Sequence, residues 1–97
     1  MKVAVVIPCF GVANSILNIL KELPDLVDFA ICVDDACPQQ SGDLIERNCA
    51  DNRVIVIRHD INQGVGGAVI SGYREALRLG ADIVVKLDGD GQMAPGD

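Results

Sequence analysis

Four runs of aliphatic residues divide the chain: 3–7, 29–33, 54–57 and 83–87, all rich in valine and isoleucine. Each run is near-continuous rather than alternating, the pattern of a strand covered on both faces. Between the runs lie three segments with apolar residues at helical spacing. The first, over 13–23, puts Ile16, Leu20 and Leu23 on one stripe and stops at Pro24. The second, over 41–49, carries Leu44, Ile45 and Asn48 at helical spacing and has the weakest pattern of the three. The third, over 66–79, has Val69, Tyr73, Ala76 and Leu77 as its apolar stripe, with Gly80 placed to cap its C-terminus. The resulting order, β-α-β-α-β-α-β, predicts an α/β domain with a parallel sheet and right-handed crossovers.

Composition bounds what such a sheet is for. A chain of 97 residues supplies one domain and one core, and 49% hydrophobic residues are enough to fill it. The net charge of -6 argues against a nucleic-acid partner, because no basic patch is present. It also means that a phosphate ligand needs a helix N-terminus or a divalent cation to neutralise it. Cys9, Cys32, Cys37 and Cys49 show no pair separated by two residues, so neither a zinc knuckle nor a thioredoxin-type motif is present. Cys9 and Cys32 fall in or beside apolar runs and read as reduced, buried thiols, which fits a cytoplasmic protein. The run 3–7 is too short for a secretory core, and no stretch approaches the length of a membrane span. Membrane association of a longer protein stays open.

The polar residues gather at the strand ends: Pro8-Cys9, Asp34-Asp35, Arg58-His59-Asp60 and Asp88. In an open, Rossmann-like sheet, ligands bind at the carboxyl ends of the strands, so Asp34, Asp35, Asp88 and Asp90 are expected to converge on one edge. Four carboxylates there repel unless a cation or hydrogen-bond donors share the site. Asp88-Gly89-Asp90-Gly91-Gln92 offers two carboxylates and an amide oxygen at alternate positions of a glycine-loosened turn, which suits Mg²⁺ or Mn²⁺. A plain aspartate-glycine turn after a strand is the competing reading. An EF-hand loop fails because its sixth position is Met93, where glycine is required. Of the two consecutive carboxylates, Asp35 is the expected ligand group and Asp34 the structural one. The stretch Gly64-Val65-Gly66-Gly67 exposes N–H groups at a helix start, or else permits close helix–sheet packing. His59 reads more readily as a strand-end residue with a satisfied hydrogen bond than as a ligand or base. Arg58 either faces a diphosphate or pairs with Asp60.

In this order the segments resemble the N-terminal half of family 2 glycosyltransferases, which have the GT-A fold. The resemblance rests on Val5-Val6-Ile7-Pro8-Cys9-Phe10, on Val33-Asp34-Asp35-Ala36, on Asn62 with Gly64, Gly66, Gly67, Ala68, Gly72 and Tyr73, and on Val85 to Gln92 with Pro95. The Asp-x-Asp-Gly-Gln form is most similar to dolichol-phosphate mannose synthases and their polyprenyl-phosphate relatives. The resemblance implies a nucleotide-sugar donor, UDP- or GDP-linked, and a polyprenyl-phosphate or glycan acceptor. It implies donor contacts from Pro8, Cys9, Asp35, Gly64 and Asp88, and a metal held by Asp90 with Asp88 and Gln92. Gly11-Val12-Ala13-Asn14 departs from the acidic pair that many relatives carry after the first strand. The family's general base lies beyond its Asp-x-Asp motif, so no catalytic base is assigned here, and the chain is expected to be a donor-binding subdomain that binds without turnover. A nucleotidyltransferase is the first alternative, but it usually shows a glycine-rich basic loop after the first strand. The second is a non-catalytic binding or assembly module of the same fold. A sheet cut from a larger domain also leaves an edge open to dimerisation.

Overall fold

The computed structural model describes residues 1–10, 15–36, 38 and 40–87. The expected alternation is present: β1 (Val3–Cys9), α1 (Ile16–Lys21), β2 (Phe29–Asp35), α2 (Ser41–Asn48), β3 (Val54–His59), α3 (Gly64–Arg78) and β4 (Ile83–Lys86). The strands form one parallel sheet in the order β3-β2-β1-β4. Chain order therefore reverses between β1 and β4, and such a reversal opens a crevice at the strands' carboxyl ends.

The two central strands are covered on both faces, as their continuous apolar runs require, whereas β4 at the sheet edge is largely exposed despite its run. On one face Val5, Ile7, Cys9, Ala30 and Cys32 pack against Ile16 and Leu20 of α1, Leu23 just after it, and Ile45 of α2. On the other, Ala4, Ile31 and Val33 pack against Ala68 and Ala76 of α3. Ile7, Ile16, Ile31 and Ile45 are fully buried, and each such side chain contributes roughly 1.5–3 kcal/mol relative to exposure. Burial is nearly complete on β1 and β2, only partial on β3 and lowest on β4.

The helices depart from expectation in ways that packing explains. Helix α1 is shorter than the predicted 13–23, and residues 11–14 lie outside the described ones. Helix α2 buries Ile45 while Asn48 is exposed and donates to Leu44 O. Helix α3 starts at Gly64, two residues earlier than predicted, and its sheet-facing residues are Ala68, Gly72 and Ala76. Tyr73 and Leu77, placed in its apolar stripe on hydropathy, are 40% and 70% exposed. The helix lies too close to β1 for large side chains, since a Cβ on Gly72 would sit 2.3 Å from Val6 Cγ1. Gly80 ends the helix as predicted. It has φ +82°, and the bonds Gly80 N→Leu77 O and Ala81 N→Ala76 O form a Schellman cap. Among the described residues, no helix is long and apolar enough to cross a membrane.

Candidate donor-binding edge

Parallel pairing aligns the chemistry-bearing ends of the strands. Cys9 stands beside Asp34 on β2, and Asp34 and Asp35 stand beside Arg58 and His59 on β3. On the other side β4 pairs with β1 up to Lys86 opposite Val6, and Leu87 N–H donates to Val6 O at 2.9 Å.

The two aspartates do different work. Asp34 Oδ2 accepts from Gly42 N–H at 2.9 Å, satisfying the start of α2. That helix needs the help, because Gln40 at its N-cap is left-handed (φ 53°) and makes no side-chain cap. Asp35 Oδ1 accepts from Gln63 N–H at 2.7 Å and from His59 Nδ1 at 2.8 Å, and Asn62 Nδ2 donates to the Asp35 carbonyl. Burial alone would raise the Asp35 carboxyl. The bonds from His59 and Gln63, together with the Gly64 N–H, more than offset it and hold the group below its usual value of 3.8.

A cavity of about 480 Å³ opens at this edge, lined by Phe10, Asp35, Ala36, Pro38, Asn62, Gly64 and Val65. Asp35 and Gly64 are thus brought together in one wall. Gly64 has φ +80°, a conformation that glycine adopts freely, and its N–H is taken by Asn62 Oδ1 at 3.1 Å. The glycines of this stretch do not make the sheet contact, which falls to Ala68 and Gly72. Pro8 stands on β1 beside Val33, away from this cavity's lining. The Cys9 thiol is fully buried in the core and bonds Ile7 O, so only its main chain is available to the edge.

The structure bears on two further strand-end residues. The Arg58 guanidinium pairs not with Asp60 but with Asp43 at 2.7 Å and with Glu46, both on α2. His59 is the satisfied strand-end histidine, bonded on one nitrogen to Asp35 and on the other to Ser71 Oγ at 2.8 Å. No spacing rule pointed to Ser71. Asp88, Asp90 and Gln92, the expected metal ligands, lie outside the described residues. Among the described residues no group of three or more histidine, cysteine or acidic side chains is arranged to hold a metal.

Comparison with known proteins decides the family. The model of Glycosyl transferase family 2 matches residues 4–97. This chain belongs to that family. It is 35% identical to the UDP-N-acetylglucosamine--dolichyl-phosphate N-acetylglucosaminyltransferase of Methanococcus voltae, over 95% of this chain and 42% of that protein. It is 36% identical to the undecaprenyl-phosphate mannosyltransferase of Micrococcus luteus, over 98% of this chain and 40% of that protein. The chain thus spans about two fifths of the length of these family 2 relatives. The crystal structure of S. aureus TarS in complex with UDP superposes with a TM-score of 0.73 at 21% identity, over 93% of this chain and 28% of that one. The parallel sheet described above is the N-terminal half of a GT-A fold.

Proposed function

We propose that this chain is the donor-binding part of a glycosyltransferase that moves a sugar from a UDP- or GDP-sugar to a polyprenyl phosphate with inversion at the sugar carbon. The observation that carries the reading is Asp35, an ionised acceptor in the wall of a 480 Å³ cavity at the carboxyl edge of the sheet of a family 2 member. An ionised carboxylate suits the N–H of a nucleobase. The names of the two family 2 relatives, both polyprenyl-phosphate sugar transferases, support the acceptor class.

Asp88, Asp90 and Gln92 are proposed to hold Mg²⁺ or Mn²⁺, on the strength of their alternating oxygen donors. A divalent ion there supplies charge neutralisation of the donor diphosphate, which a chain of net charge -6 otherwise lacks. The described residues contribute binding and orientation: Asp35 accepts from the base, while Phe10, Ala36 and Val65 exclude water from around it. No residue is assigned the role of general base.

Calorimetric titration with UDP and with GDP, each with Mn²⁺, tests the reading on the wild-type chain and on Asp35→Ala and Asp90→Ala. Binding by the wild type that both variants weaken is the expected result. Equal heats from wild type and Asp90→Ala would remove the metal role. Absence of nucleotide binding by the wild type would remove the donor role.

A further inference from the structure

Asp35 is held unequally at its two oxygens. His59 Nδ1 and Gln63 N–H both bond Oδ1, at 2.8 and 2.7 Å, and Oδ2 takes neither of them. The Gly64 N–H, although it adds to the stabilisation of the carboxylate, is hydrogen-bonded to Asn62 Oδ1. An ionised carboxylate only accepts, so His59 Nδ1 carries the ring proton, and in the neutral ring Nε2 accepts from the Ser71 hydroxyl. The ring is therefore pinned at both nitrogens, with 8% of the side chain exposed. The Asp35 side chain is 4% exposed, and the residue lines the cavity. The chain Asp35–His59–Ser71 has the connectivity of a hydrolase triad, but Ser71 is mid-helix on α3 and does not line that cavity, so it presents no nucleophile there.

We propose that His59, with the Gln63 N–H, sets the base preference of the site by filling Oδ1 and reducing Asp35 to a single free acceptor. One acceptor oxygen matches a base with a lone N–H between two carbonyls, as in uracil. Guanine carries adjacent N1–H and N2–H donors that pair best with both carboxylate oxygens at once. His59 touches no ligand itself; it acts through Asp35 and is a positioning residue. The inference rests on Asp35 being the base acceptor.

The test is a titration of the whole chain with UDP and with GDP, each in excess Mn²⁺, read as the ratio of the two affinities. The wild type is expected to bind UDP about tenfold more tightly, the worth of one charge-assisted hydrogen bond. His59→Ala frees Oδ1 from its side-chain donor and narrows the ratio to within about threefold. His59→Asn, whose amide nitrogen can stand where Nδ1 stands, restores it. A merely structural histidine would weaken both nucleotides in parallel and leave the ratio unchanged, which overturns the proposal. If circular dichroism shows His59→Ala unfolded, Ser71→Ala, which frees the far side of the ring, must narrow the ratio instead. Equal affinities in the wild type, or a preference for GDP, also overturn it while leaving the donor reading intact. Failure of the wild type to bind either nucleotide removes both.

Discussion

Gly72 of α3 lies directly on Val6 of β1: a Cβ at Gly72 would meet Val6 Cγ1 at 2.3 Å and Cγ2 at 3.1 Å. Val6 is fully buried in the middle of a paired strand and has no room to withdraw. Gly72→Ala is therefore expected to destabilise the domain by about 1–3 kcal/mol through overpacking. The ~1 kcal/mol by which alanine favours a helix over glycine offsets part of that loss. Urea denaturation measures it. Val6→Ala combined with Gly72→Ala should cost less than the sum of the single changes, because truncating Val6 removes the clash that the new methyl makes, and that methyl fills part of the space the truncation leaves.

This contact also shows how far the sequence could be read. Four strands were legible from their near-continuous aliphatic runs, although only β1 and β2 prove to be largely buried, and Pro24 and Gly80 followed the ends of two helices. The face that α3 turns to the sheet was not legible from hydropathy. A helix approaching this closely presents Ala68, Gly72 and Ala76, so its larger apolar residues point away. At the candidate site the division between Asp34 and Asp35 was legible, since neighbours on a strand point to opposite faces and cannot serve the same partner. The Asp35–His59–Ser71 chain was not. It links residues from β2, β3 and α3, and the His59–Ser71 separation of 12 follows no helix or strand period. The ion partners of Arg58 were not legible either, because Asp43 and Glu46 reach it from α2 across the sheet edge, while Asp60 was merely adjacent in sequence.

The separate duties of the two aspartates give opposed expectations. Asp34→Ala removes the acceptor for Gly42 N–H and leaves α2 without its substitute cap, a loss of about 1–2 kcal/mol by analogy with side-chain N-caps. Nucleotide affinity should be close to unchanged, because that carboxylate is spent inside the fold. Asp35→Asn keeps the volume but replaces an ionised acceptor at the cavity wall, and should weaken nucleotide binding about tenfold or more. Urea denaturation and calorimetry on both variants separate the cases. Equal loss of nucleotide affinity in the two would mean that the edge works only as a scaffold.

Acid should unfold the protein through carboxylates whose ionised forms are held by the fold. Asp51 bonds Arg53 through side chain and main chain, which brings its pKa down from 3.8 to about 2. Arg53 in turn donates to the carbonyls of Pro24 and Val27, so the pair anchors the turn that leads into β2. Asp35 is also held below 3.8, by bonds that outweigh its burial. A carboxylate depressed in the folded state stabilises above its unfolded pKa, and that stabilisation fades as pH falls through the folded one. Urea midpoints of the wild type should therefore vary little through these groups near neutrality and drop as pH falls below 3.8 toward about 2. Asp51→Asn should be less stable than the wild type at neutral pH, and the gap should close over that same interval. A gap that persisted well below that interval would mean that the loss in Asp51→Asn does not come from the charge, and no gap at neutral pH would mean that Arg53 holds the Pro24–Val27 turn without it.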